Sequence, residues 1–164
     1  VEFTARKTIS VLGDNVHSVI TDFETRTDDA KFLSTELNRY SVAENGLCAI
    51  ALARFGSTTT NQLTLRDRDG KVLFDITLDE YISSVSCSGK YVCVLTGDNI
   101  VAYNKRGETV GSAKADADCS AIYSDDNYVY SYSLDEINRR FVLGDNKDET
   151  AATTLEPETV ETKP

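Results

Sequence analysis

Three stretches of this chain follow one pattern: Ser41 to Leu52, Val85 to Leu95 and Ile122 to Tyr132. Each reads as an apolar strand, a polar turn and a second strand. Aligned on Gly46, Gly89 and Asp126, the turns stand 43 and 37 residues apart. A period of roughly 40 residues with several short strands per unit is the mark of propeller blades.

A second hairpin repeats with the first. Leu63 to Ile76 alternates around Asp69-Gly70, a dipeptide suited to the positive φ of a tight reversal. Ile100 to Gly111 repeats it, with Gly107 placed 37 residues after Gly70, and Asp29 to Leu33 is a weaker copy. Gly13-Asp14-Asn15 and Gly97-Asp98-Asn99 occupy equivalent turns between second and third strands. The unit is a four-stranded meander, a to d, which is how a blade is built.

The expected fold is all-β, a partial β-propeller of about three to four four-stranded antiparallel blades. Residues 1–38 should supply strands b, c and d of an incomplete blade. Residues 39–80 and 81–117 should each form a blade, and 118–144 a second incomplete one. The chain starts on Val and opens and closes inside a blade, which suggests a piece of a larger or assembled ring. The alternative is a small open sheet or sandwich. Both prolines, Pro157 and Pro164, lie outside the repeats, so each strand is free to sit inside a sheet. Residues 145–164 hold six acidic and two basic residues among few apolar ones, the composition of a flexible tail.

Net charge is −10, and the basic residues are scattered among acids, which argues against nucleic acid. No apolar run reaches the roughly 18 residues that a membrane helix needs, and no signal peptide opens the sequence, as a truncated start would also give. Cys48, Cys87, Cys93 and Cys119 fit no zinc spacing. Cys87 and Cys93 sit on two arms of one hairpin, where a disulfide would close a very small loop. In the Gly-anchored alignment Cys48 replaces Tyr91 and Cys93 replaces Ile50, so cysteine alternates with large apolar residues as a buried free thiol does.

Catalytic constellations are nearly absent. His17, the sole histidine, falls in a third strand and reads as a strand residue rather than a general base. No nucleophile elbow or phosphate loop appears. Asp67-Arg68-Asp69-Gly70 has the look of a calcium loop, but Leu65 stands where an earlier acid belongs and no bidentate Glu follows. A hairpin turn accounts for it. No metal and no cofactor are expected.

One constellation needs its own explanation. Tyr128, Tyr130 and Tyr132 alternate on one strand, so their rings share a face, with Val129 and Ser131 on the other. Tyr123 lies on the neighbouring strand. Packing between blades accounts for the pattern, since the equivalent Tyr91, Cys93 and Leu95 are also apolar. The functional account is a docking surface for a peptide, a sugar or another blade. If the chain ends in this blade the two accounts merge, and the packing partner is another polypeptide.

Residues 5–144 resemble WD-repeat and quinoprotein-like propellers in strand-turn grammar, most closely at Ser88 to Leu95 followed by Asn99 to Asn104. The chain has no Trp, so the Trp-Asp ending of WD repeats and the Trp-docking motif of quinone-cofactor propellers are both missing. What remains resembles degenerate propellers of unknown function from Gram-positive bacteria. That resemblance implies an extracytoplasmic location behind a membrane anchor, and carries over no functional residue. The expected function is non-enzymatic, a scaffold for a protein partner or a companion propeller fragment, with self-association through Tyr123, Tyr128, Tyr130 and Tyr132. The alternative is a ligand-binding or hydrolytic propeller whose active-site residues lie in blades absent here.

Overall fold

The computed structural model describes residues 2–4, 8–12, 17–21, 24–26, 35–54 and 61–143. The Gly13-Asp14-Asn15 turn, the Asp29 to Leu33 segment and the acidic tail lie outside them. Among the described residues fifteen antiparallel strands form four sheets, each an up-and-down meander in chain order. The first holds β1 (Glu2–Thr4), β2 (Thr8–Leu12), β3 (His17–Thr21) and β4 (Glu24–Arg26). The second holds β5 (Thr35–Val42), β6 (Cys48–Arg54), β7 (Asn61–Arg66) and β8 (Val72–Leu78). The third holds β9 (Ile82–Cys87), β10 (Val92–Thr96), β11 (Asn99–Tyr103) and β12 (Thr109–Lys114). The fourth holds β13 (Ala121–Ser124), β14 (Tyr128–Tyr132) and β15 (Ile137–Val142). No helix occurs among the described residues, and the architecture is the all-β partial propeller that the repeat demands.

Two placements differ from the sequence expectation. The first meander has four strands rather than three, because the short β1 pairs with β2. Its last described strand is Glu24–Arg26, upstream of the segment beginning at Asp29. Residues 35–38 belong to the second meander, where β5 runs for eight residues and bulges between Leu37 and Arg39. That bulge and the polar Thr35, Glu36, Asn38 and Arg39 around Leu37 hide the strand's period.

The third-to-fourth strand turns are equivalent in atomic detail. Gly70 and Gly107 have φ of 82° and 78°. The Asp67 carboxylate accepts from the amides of Asp69 and Lys71 at 3.0 and 2.9 Å. The Asn104 amide oxygen accepts from Arg106 and Glu108 at 2.9 and 3.1 Å. Asp67 is thus committed to its own turn, as Asx residues commonly are.

The first-to-second strand turns are less uniform. Ala43 donates to Leu47 across five residues, whereas Ser88 to Tyr91 and Asp125 to Tyr128 span four. The extra residue shifts the alignment by one, so Leu47 and Ala49 correspond to Tyr91 and Cys93. A slip of one residue in a strand exchanges its faces. Cys48 therefore points with Ile50 and Leu52 to one side of its sheet, while Cys93 points with Tyr91 and Leu95 to the other side of the next. None of the four cysteines is in a disulfide, and Cys48, Cys87 and Cys93 are buried.

The core lies between sheets. Ala49, Ala51, Leu63 and Leu65 of the second sheet meet Ile82, Cys87, Val92 and Val94 of the third. The opposite face of the third, with Tyr91, Cys93, Leu95 and Ile100, is covered by Ile122, Val129 and Leu143 of the fourth. First strands lie side by side, β9 between β5 and β13. They are clamped by serine. Ser41 Oγ accepts from the Cys87 amide at 2.9 Å, and Ser86 Oγ accepts from the Ser124 amide at 2.8 Å. These serines are equivalent, since Ser41 stands opposite Ala49 and Ser86 opposite Cys93. A hydroxyl there satisfies a buried N–H that no intra-sheet partner reaches.

Candidate interaction surface

The pleat of β14 sorts its side chains cleanly. Val129 and Ser131 are buried against the third sheet, while Tyr128, Tyr130 and Tyr132 emerge half-buried on the far face. β13 pairs antiparallel with β14, placing Tyr123 directly opposite Tyr130. The rings of Tyr123 and Tyr130 lie 6.2 Å apart, as do those of Tyr128 and Tyr130. All four tyrosines named from the sequence therefore form one surface. Tyr123 is 51% exposed.

β15 completes the surface with residues that sequence pattern alone did not select. Ile137 stands opposite Tyr132 and is 66% exposed; Arg139 stands opposite Tyr130. The Arg139 guanidinium lies 5.1 Å from the centre of the Tyr128 ring, within cation–π range. Leu134, in the turn before β15, is 92% exposed. The i, i+2 relation of Ile137 and Arg139 carries the signal, but it emerges only once β15 has a register. Arg140, on the opposite side of β15, is tied inward by Asp116 and by Ser131 Oγ.

Packing around Tyr130, and then the Asp125 carboxylate, push its phenol above the ordinary tyrosine range. It is neutral at physiological pH and able both to donate and to accept.

In the third sheet the equivalent positions, Tyr91, Cys93 and Leu95, are buried by the fourth. In the fourth sheet the same face carries tyrosine, and no further described sheet covers it. The serine clamp ends there too: the place held by Ser41 and Ser86 is taken by Tyr123. One register step earlier, Ser84 Oγ accepts from the Ile122 amide at 3.2 Å, and its counterpart in the fourth sheet is Ala121.

Asp126 and Gly89 meet Asn45 where the three first-to-second strand turns converge, and Asn45 donates to the Gly89 carbonyl at 2.8 Å. Among the described residues no group of three or more His, Cys, Asp or Glu side chains converges as a metal site. His17 begins β3, the third strand of its meander.

DUF5711, a family of unknown function, matches residues 1–138, a span that includes the tyrosine strand. The chain belongs to that family. No curated protein matches it. Its fold is similar to solved β-propellers at low identity. One is regucalcin, a calcium-binding protein from Agrobacterium tumefaciens strain C58, with TM-score 0.55, 12% identity, and coverage of 84% of this chain and 54% of that one. Another is the extracellular domain assigned to a one component system of B. thetaiotaomicron, with TM-score 0.52, 16% identity, and coverage of 84% and 19%. A third is Sqt1 of Saccharomyces cerevisiae, with TM-score 0.51, 12% identity, and coverage of 83% and 40%. This DUF5711 chain thus spans about half or less of the length of the propellers it matches. At such identities the likeness is one of fold.

Proposed function

We propose that this DUF5711 chain is a non-enzymatic interaction module that offers the tyrosine face of its fourth meander to a protein partner. One observation carries the reading: a face that the preceding meander buries under its neighbour is left open here and lined with Tyr123, Tyr128, Tyr130 and Tyr132. Tyrosine suits such a place, because it combines roughly 150–250 Å² of buriable area per residue with a hydroxyl that keeps the free surface wettable. Contiguous apolar surface rimmed by polar groups is also how interfaces usually look. Presentation on the extracytoplasmic side belongs to the proposal, through the resemblance to degenerate Gram-positive propellers. No helix of the described residues is long and apolar enough to cross a membrane.

Sedimentation velocity over a concentration series tests it, with the partner or with the chain alone. Tyr130→Ala should weaken the complex at least tenfold while leaving the melting temperature within a few degrees. A chain that is a stable monomer with its tyrosine face covered by its own residues would remove the basis of the proposal.

A further inference from the structure

We propose that the tyrosine face receives a cationic segment of a partner protein, with Lys or Arg side chains seated on its open rings, and not a further blade joined as the described blades are. This rests on the interaction reading above and adds the partner's chemistry.

The joints between sheets show what another blade would need. Each described joint has a serine acceptor for an amide of the next first strand, Ser41 between the second and third sheets and Ser84 with Ser86 between the third and fourth. On the fourth sheet those positions are Ala121 and Tyr123. Ala121 offers no acceptor. The Tyr123 ring stands out where the next first strand would run, with its hydroxyl well beyond a serine's reach. A strand brought to this face would leave its amides unanswered, and a buried unpaired N–H costs about 1–3 kcal/mol.

What the face does offer is ring surface bordered by carboxylates. It already holds one guanidinium, that of Arg139 over Tyr128, so its rings accept a cation at close range. Tyr123, Tyr130 and Tyr132 have no such occupant among the described contacts. Asp125 lies close enough to act on the Tyr130 phenol, and Asp135 is exposed in the turn before β15. The chain's net charge of −10 attracts cations and repels acids at long range. Ile137 and Leu134 add exposed aliphatic surface, so a segment alternating basic and aliphatic residues matches the face best. An arginine over a tyrosine ring contributes about 0.5–1 kcal/mol where exposed and about 2 where desolvated.

The test uses fluorescein-labelled octapeptides of alternating Arg-Val and alternating Glu-Val, titrated with the full chain and followed by anisotropy. The Arg-Val peptide should bind, and more weakly as salt rises. Its affinity should fall at least tenfold in Tyr123→Ser/Tyr130→Ser. It should hold within about twofold in Tyr123→Phe/Tyr130→Phe and rise a few-fold in Arg139→Gln, which frees the Tyr128 ring. Arg-Val binding that ignores the tyrosine-to-serine changes would mark general attraction to an acidic surface and overturn the proposal. So would equal binding of both peptides, or binding of neither. If a protein partner shields these tyrosines while the Arg-Val peptide fails to bind, only the cationic chemistry falls. If the tyrosines are shielded in the isolated monomer, the interaction reading falls with it.

Discussion

Tyr123 holds the register position in β13 that Ser86 holds in β9: Ser86 stands opposite Cys93, and Tyr123 opposite Tyr130. Ser86 reaches forward to bind the Ser124 backbone of the following meander. Tyr123 turns the same place into an exposed ring beside Tyr130. One substitution in a repeated position thus separates a joint between blades from a surface.

The joint should be measurable. Ser86→Ala removes the acceptor for the Ser124 amide and for its hydroxyl, which lies 3.1 Å from Ser86 Oγ. Leaving buried groups unpaired should cost about 1–3 kcal/mol in urea unfolding. Ser120→Ala, at an exposed hydroxyl bonded to the Tyr132 carbonyl, should stay within about 0.5 kcal/mol. Equal effects would show that the clamp does not hold the blades.

Gly107 makes two demands that alanine cannot meet. Its φ is +78°, and an added Cβ would stand 3.1 Å from Phe74 Cγ and 3.2 Å from Phe74 Cβ in the adjoining sheet. Gly97 has φ of +54° but open space, with Glu80 Oε2 nearest at 3.8 Å. Gly97→Ala should cost about 1 kcal/mol from backbone strain alone. Gly107→Ala should cost about 2–4 kcal/mol, overpacking being added to strain. Calorimetric midpoints of the two variants decide the order.

The buried thiols predict a pH dependence. Burial pushes the Cys93 thiol up from 9.0 to about 12, and burial first, then neighbouring Cys48 and Cys93, push Cys87 higher still. The fold holds these groups neutral, so their contribution is fully present below pH 9.0. As pH rises past that value the unfolded chain ionises and the folded chain does not, and stability falls until about pH 12. Cys93→Ala should flatten that decline, while tyrosine titration affects both proteins alike. Under native conditions near neutral pH one thiol, the half-buried Cys119, should react readily and three slowly, with all four reacting in denaturant.

The architecture was legible because turn chemistry survives divergence. Gly70 and Gly107 sit in matching reversals because only glycine adopts that backbone freely, and the spacing of 37 residues reports it. The tyrosine face was legible because the period of two in Tyr128, Tyr130 and Tyr132 admits one interpretation in a strand. Two things were hidden. The Ala43 to Leu47 turn carries an extra residue, which displaced Cys48 and masked the equivalence of Ser41 with Ser86. Arg139 and Ile137 joined the surface only through the pairing of β15 with β14, a relation between strands that no local pattern contains.

Hydroxyl-radical footprinting with mass spectrometry on the isolated chain tests the central claim most directly. Tyr123 should be modified at a rate near that of the exposed Tyr81 and the half-buried Tyr130 somewhat more slowly, while Tyr91 and Tyr103, buried between sheets, should be protected at least tenfold. Adding a partner, or raising the concentration of a self-associating chain, should protect Tyr123 and Tyr130 and leave Tyr81 unchanged. Protection of Tyr123 and Tyr130 to the level of Tyr91 in a chain that sediments as a monomer would contradict the account.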